Sequence, residues 1–167
     1  MLGLSPVPWH CVAMQGTSSQ ETCPDFAAVV RAALPVSSSS QGPGVRAQFL
    51  DDVERTYKRP LVRIDILDLD VLFREVREPA LGIGIASGEG RAMAAAQQAF
   101  HEISKRRGAP NALIVLAFAP GEMRLGESQL AWVVIRELLG EDGFVLRGLI
   151  EDEQLARGTL RVSVLVG

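Results

Sequence analysis

From residue 45 onward, the spacing of hydrophobic residues predicts a series of helices and strands. Four segments repeat apolar residues every three or four positions, which is the spacing of one helix face: 45–57, 69–76, 91–106 and 127–139. Four apolar segments bounded by glycine, proline or acidic residues have the length and composition of strands: 80–86, 112–119, 144–150 and 159–166. From residue 80 the predicted order is therefore strand–helix–strand–helix–strand–strand.

Three of these segments also indicate how deeply they are buried. Residues 112–119 form an uninterrupted apolar run, which is typical of a strand covered on both faces. In residues 159–166, apolar side chains alternate with Arg161 and Ser163, which predicts a strand with one apolar and one more polar face. The helix 127–139 is apolar on almost every side, so we expect it to be heavily buried.

The order of elements predicts an α/β fold with one mixed, four-stranded sheet and helices packed on it. A strand–helix–strand crossover makes two strands parallel, and the last two strands are expected to finish the sheet like a hairpin. The class is a two-layer sandwich of the α+β kind. Residues 1–44 are rich in Ser, Pro and Gly and are expected to form a flexible tail. Residues 45–78 are expected to contain a connecting helix, an acidic loop and a short helix, ahead of a domain at 79–167.

Composition and charge argue against several classes of function. The 167 residues include 17 Lys+Arg and 20 Asp+Glu, a net charge of −3, whereas a nucleic-acid-binding protein needs a concentrated basic face. No apolar run approaches the ~20 residues that span a bilayer. Cys11, Cys23, His10 and His101 form no zinc-type spacing. We therefore expect a cytoplasmic protein with no metal of its own, no nucleic-acid partner and no membrane insertion.

A glycine-rich turn lies between the first strand of this domain and the helix that follows it. Gly82, Gly84 and Gly88 come near the dinucleotide-binding fingerprint, but the third glycine is one residue late. The Gly-Lys-Ser/Thr ending of a phosphate-binding loop is absent, since Arg91 follows Gly90. Close packing of helix on strand, followed by a sharp turn, is the better interpretation.

The second candidate site is the acidic connector Asp65-Ile-Leu-Asp68, where a helix is expected to begin. Two carboxylates three residues apart can face the same side and together orient a water molecule or hold a hydrated cation. The alternative is structural: Asp68 or Asp70 caps the helix, and Asp65 is a solvated loop residue. The residues by themselves favour the structural alternative and leave the catalytic one open.

Several motifs resemble, in order and spacing, the C-terminal part of the bacterial tubulin homologue FtsZ. Residues 82–92, Gly-Ile-Gly-Ile-Ala-Ser-Gly-Glu-Gly-Arg-Ala, are similar to the family's strand–turn–helix segment G-x-G-x-A-[ST]-G-E-x-R-A. Residues 148–153 and 160–167 are similar to the family's closing hairpin. The resemblance extends from Arg59 to Gly167 and implies that residues 79–167 are an FtsZ-like C-terminal domain.

The resemblance also implies a role for the acidic connector. Asp65-Ile-Leu-Asp68 aligns with D-F-A-D of the family's synergy loop, which reaches into the nucleotide pocket of the neighbouring subunit in a filament. The implied role of Asp65 and Asp68 is to polarise the attacking water and to help arrange Mg²⁺ near the γ-phosphate of GTP. Arg63 stands where the family has Asn, and it is expected to modulate the site by pairing with the carboxylates or by crowding the pocket.

The family's GGGTGTG-type phosphate loop has no counterpart in this sequence. The resemblance therefore implies that this chain by itself holds no cofactor, and that GTP and Mg²⁺ are bound by an FtsZ-type partner subunit in a homo- or hetero-oligomer. The expected function is that of a cell-division, cytoskeletal domain that acts at filament contacts and contributes to GTP hydrolysis on the adjacent subunit. The alternative is a non-catalytic module that caps FtsZ-type filaments, or a truncated fragment.

Overall fold

A computed structural model describes residues 42–76, 79–103, 111–139 and 143–167 of the chain. The expected tail therefore lies outside the described residues, except for residues 42–44, and so does the end of the predicted helix 91–106. Within the described part, no helix is long and apolar enough to cross a bilayer.

The described residues form four helices and five strands. The helices are α1 (Pro43–Lys58), α2 (Ile66–Glu75), α3 (Arg91–Ile103) and α4 (Leu125–Leu139). The strands are β1 (Pro60–Val62), β2 (Ala80–Ser87), β3 (Asn111–Phe118), β4 (Phe144–Glu151) and β5 (Thr159–Val166). All four predicted helices and all four predicted strands are present, and the element that the sequence did not predict is the short strand β1.

The strands form one mixed sheet in the order β1-β4-β3-β5-β2, which confirms the predicted class but has five strands instead of four. β3 and β4 are parallel, as expected for a crossover through α4, and every other pair is antiparallel. The expected hairpin of β4 and β5 is wrong. After β4 the chain crosses the end of β3, where the Asp152 backbone N–H donates to the Phe118 carbonyl at 2.9 Å. β5 therefore pairs with β3 on its far side.

Helices cover both faces of the sheet, so the fold has three layers where two were predicted. On one face, α3 and α4 pack against alternate residues of β3 and β5: Ile114, Leu116, Phe118, Val162 and Val164. On the other face, α1 and α2 pack through Phe49, Val53, Leu69 and Leu72 against Leu113, Val115 and Leu165. Every residue of β5 is buried, and the predicted polar face of that strand is covered by α1.

The prediction for α4 was also wrong in one respect, because this helix is not heavily buried. Ala131, Ile135 and Leu139 are buried against the sheet. Leu130 and Val133, in contrast, are 49% and 50% exposed. The apolar character of α4 therefore exceeds what the core of this domain uses.

Two glycines of β2 allow α3 to lie directly against the strand. A Cβ atom at Gly82 would come within 2.0 Å of the Ala99 carbonyl oxygen, and one at Gly84 within 1.9 Å of the Ala95 carbonyl oxygen. Only a residue without a side chain fits such a contact. This agrees with the interpretation of the glycines as packing residues.

A buried network of charges joins α1 to the sheet. Arg161 of β5 donates to Asp52 of α1, with 3.1 Å between Nε and Oδ2, and to Asp152, with 2.7 Å between Nη2 and Oδ2. Arg55 adds a second cation at 2.9 Å from Asp152 Oδ1, and the Ser163 hydroxyl donates to Asp52. Because both carboxylates and Arg161 are almost completely buried, each needs these partners to offset the loss of water.

Candidate functional site: an exposed acidic helix start

The acidic connector leaves the sheet beside the end of β4. In the edge strand β1, Pro60 pairs with Ile150 and Val62 pairs with Leu149. Ile64 then turns into the core, where its side chain packs over Gly148. The chain emerges again at Asp65, which starts α2.

Asp65 is the N-cap of α2. Its Oδ1 atom accepts a hydrogen bond from the Leu67 backbone N–H at 2.7 Å, and its own backbone is extended. An N-cap carboxylate satisfies one of the free N–H groups of the first helical turn. The structural interpretation of the connector correctly predicted that an aspartate caps the helix. The capping residue, however, is Asp65 and not Asp68 or Asp70. The Asp65 side chain is exposed, and its second oxygen has no hydrogen bond within the described residues.

Asp68 lies in the first turn of α2 and is exposed to solvent. Among the described residues it has no salt bridge, whereas its neighbour Asp70 pairs with Arg74 at 2.7 Å. The position is favourable for a negative charge, since the N-terminal end of a helix carries a partial positive charge. Asp68 therefore presents a carboxylate that the described residues do not use.

Arg63 does not pair with either carboxylate. Its guanidinium carbon lies 5.7 Å from the centre of the Tyr57 ring, and the residue is exposed. The cation is thus held against the last turn of α1 by a cation–π contact. Arg63 therefore lies next to the acidic connector in the chain, but its guanidinium contacts Tyr57 instead of a carboxylate.

Exposed apolar side chains surround the acidic residues. On α2, Leu67 and Val71 lie one helical turn apart and are 66% and 52% exposed. On β1, Leu61 and Val62 are exposed as well. Charged groups flanked by exposed apolar residues are typical of surfaces that contact another protein.

The chemistry available to Asp65 and Asp68 is that of two solvated carboxylates. Within the described residues, no group of three or more potential ligands could hold a metal ion. Mg²⁺ in proteins is usually bound by one or two carboxylates together with phosphate oxygens and water. Two exposed carboxylates by themselves would leave most of the ligands of such an ion to other molecules.

A second charged cluster, which sequence reasoning missed, joins three loops at one end of the sheet. Arg91 is buried and binds Glu127 through two hydrogen bonds of 2.8 Å each. It also binds Glu122, at 3.2 Å, and Glu122 accepts the Gly158 backbone N–H at 2.6 Å. The pKa of Glu122 is lowered, first by the Gly158 N–H and then by Arg91 and Arg157. These residues line a polar cleft of about 810 Å³.

The signal for this cluster was present in the sequence. Arg91 precedes Ala95 and Ala99 by four and eight residues, so it belongs to the apolar stripe of α3 that faces the sheet. A cation on the buried stripe of a helix needs carboxylate partners. Its hydrogen bonds are taken up by Glu122 and Glu127, which makes the cluster a brace between loops.

Comparison with known proteins supports the resemblance seen in the sequence. No family model matches the chain. Cell division protein FtsZ 1 of Rhizobium meliloti is 36% identical over 112 residues, which are 65% of this chain and 19% of that protein. The first curated relatives are matched over about a fifth of their length.

Solved structures show the same fold. The empty FtsZ dimer of M. jannaschii superposes with a TM-score of 0.63 and 23% identity, covering 74% of this chain and 38% of that one. CetZ2 of Haloferax volcanii, solved as a GTPγS-bound protofilament, gives a TM-score of 0.51 with 15% identity, covering 81% of this chain and 43% of that one. Over about 65% of its length this chain is therefore similar in sequence to FtsZ proteins, and over about three quarters of its length it shares the fold of a solved FtsZ.

Proposed function

We propose that this chain is a cytoskeletal domain of the cell-division type, which contacts an FtsZ-type subunit and contributes Asp65 and Asp68 to GTP hydrolysis on that subunit. The observation that carries this proposal is the pair of exposed carboxylates at the start of α2, of which Asp68 has no partner among the described residues. The dimer and protofilament forms of the structural relatives support a role at subunit contacts.

In this proposal the two aspartates have different tasks. Asp68, on the first turn of the helix, orients and polarises the water that attacks the γ-phosphate. Asp65 is held by its cap hydrogen bond, and its free oxygen faces solvent, where it can accept from a water of the Mg²⁺ shell. GTP and Mg²⁺ are bound by the partner subunit. The phosphates of the GTP supply the other ligands of the Mg²⁺ ion.

The apolar side chains beside the carboxylates give the contact its affinity. Leu67 and Val71 become buried when the two subunits meet, and their burial excludes water from the reacting groups. Arg63 lies beside the same surface, where its guanidinium contacts the Tyr57 ring and pairs with neither carboxylate.

The test is the rate of phosphate release by an intact FtsZ, such as FtsZ 1 of Rhizobium meliloti, with and without this chain. We expect the added chain to raise GTP turnover, and we expect Asp68→Asn to return the turnover to the rate of the partner alone. Asp70→Asn is the matched control, since Asp70 lies on the same helix but is paired with Arg74. If the chain binds the partner and the turnover does not change, the catalytic proposal is wrong.

A second candidate function is a non-catalytic cap on FtsZ-type filaments. It is favoured by the exposed Leu67 and Val71, which can seal a filament end without any chemistry, and by the cation at Arg63. Light scattering of the polymerising partner separates the two functions. A cap shortens the polymer in a way that Leu67→Ser abolishes and Asp68→Asn leaves unchanged, whereas the catalytic contact depends on Asp68.

A further inference from the structure

A small apolar cavity lies between α4 and the edge of the sheet formed by β3, β4 and β1. Its volume is about 280 Å³, which is just below the usual range for sites that hold small molecules. Apolar side chains form most of its lining, including Ile114 and Leu149 from the sheet and Leu125 and Trp132 from α4. Leu125 is 67% exposed, so the cavity opens to solvent at the start of α4.

Among the described residues that line the cavity, one is charged: Arg147 of β4. The guanidinium carbon of Arg147 lies 4.5 Å from the centre of the Trp132 ring, in cation–π contact. Within the described residues, Arg147 has no salt bridge, and its side chain is exposed. The guanidinium therefore lies beside the ring at the wall of the cavity, and no described carboxylate pairs with it.

An apolar cavity with a single cation in its wall selects a particular kind of ligand. An aliphatic or small aromatic group gains free energy by leaving water for the cavity. A carboxylate on the same molecule accepts charge-assisted hydrogen bonds from the guanidinium, and these are stronger than bonds between neutral groups. An ammonium group at that place would be repelled, and a neutral head group would gain less.

We propose that this cavity is a binding site for a small apolar monocarboxylate, with the hydrocarbon against Trp132 and Leu149 and the carboxylate on Arg147. The cavity shares Val62 of β1 with the apolar surface beside the acidic helix start, but its other described lining residues lie outside that surface. Its occupancy is also visible spectroscopically, since Trp132 forms part of the wall.

The test uses the full chain with Trp9→Phe, which leaves Trp132 as the one tryptophan of the two in the sequence. Octanoate is titrated against Trp132 emission, and octanol and octylamine are titrated in parallel. We expect saturable binding of octanoate, binding of octanol weaker by about tenfold, and no saturable response to octylamine. Equal binding of octanol, or no saturable change with octanoate, would overturn the proposal.

Two further variants, measured by titration calorimetry, locate the ligand. Arg147→Gln should weaken octanoate binding by about tenfold. Arg136→Gln is the matched control, because the Arg136 guanidinium carbon also lies over the Trp132 ring, at 5.8 Å from its centre, but Arg136 is not one of the lining residues of the cavity. Ser128→Phe fills the mouth of the cavity and should abolish binding. Unchanged binding in both Arg147→Gln and Ser128→Phe would place the ligand elsewhere and refute the assignment.

Discussion

Two pairs of aspartates in this chain have the same chemistry and opposite surroundings. Asp52 and Asp152 are buried, and both are bound by Arg161. Asp65 and Asp68 are exposed at the start of α2, where one oxygen of Asp65 is engaged in capping. The buried pair joins α1 to the sheet, and the exposed pair faces solvent.

The difference shows how a structural carboxylate can be told from an available one. In the buried pair the oxygens are shared among two arginines, the Gln48 amide, a hydroxyl and a backbone N–H, so nothing remains for a ligand. In the exposed pair, oxygens remain free, and no described cation competes for them. A charged group is most available to another molecule where its own fold leaves hydrogen-bonding capacity unused.

The largest effect is expected when the buried pair is broken. Asp52→Ala leaves the Arg161 guanidinium buried with one carboxylate partner instead of two and leaves the Ser163 hydroxyl without its acceptor. We expect a loss of about 3–5 kcal/mol in the free energy of unfolding, measured by urea denaturation. Asp51→Ala, which removes an exposed partner of Arg55, is the control and should cost less than about 1 kcal/mol. Similar losses in the two variants would show that the network is no more important than a surface ion pair.

The next largest effect is expected in the pH dependence of the free energy of unfolding. Burial opposes ionisation of Asp152, but the Gln154 N–H and the charges of Arg161 and Arg55 outweigh it, so the pKa of Asp152 is lowered. A carboxyl with a lowered folded-state pKa contributes stability that is fully present above the unfolded-state pKa of about 3.9. That contribution is lost as pH falls further, through the folded-state pKa.

Asp152→Asn should therefore reduce the free energy of unfolding most near about pH 7 and least in strong acid, where the wild type is protonated as well. Urea denaturation of both proteins across this range measures the difference. A difference that stays constant as pH falls would mean that Asp152 acts through packing and hydrogen-bond geometry and not through its charge.

The sequence predicted the elements better than their arrangement. The strands and helices after residue 80 are local patterns, and the described ones were found. The placement of β5 beside β3 depends on how the loop after Glu151 crosses the sheet end, which no local pattern encodes. Strand β1 has only three residues, too few for a periodic signal, so the fifth strand could not be predicted.

The same limit applies to the charged residues. Arg161 and Ser163 alternate with apolar residues, a pattern that predicts a more polar face of the strand. In the structure α1 covers that face and supplies Asp52 as the partner of both residues. The position of Asp65 and Asp68 at a helix start was predictable from spacing. Which of them caps the helix was not, because that depends on the backbone conformation of Asp65.

Two substitutions of Asp65 separate the contribution of its capping hydrogen bond from the contribution of its negative charge. Asp65→Ala removes the acceptor of the Leu67 N–H and should lower the free energy of unfolding by about 1 kcal/mol. Asp65→Asn keeps an equally good cap without the negative charge and should cost far less. Thermal denaturation of the two variants measures the contrast. If Asn is as damaging as Ala, the charge of Asp65 and not its hydrogen bond stabilises α2.

The smallest effect on folding is expected at Asp68, where the effect on function should be greatest. Asp68→Asn removes a negative charge from the first turn of α2 but breaks no described salt bridge or hydrogen bond. Only the interaction with the helix dipole is lost, about 0.3–1 kcal/mol at low ionic strength and less as salt screens it. Urea denaturation at low and high salt measures this cost. A small, salt-dependent loss of stability combined with a full loss of GTPase stimulation would mark Asp68 as a residue kept for a partner, whereas a large loss would make it part of the fold, like Asp52.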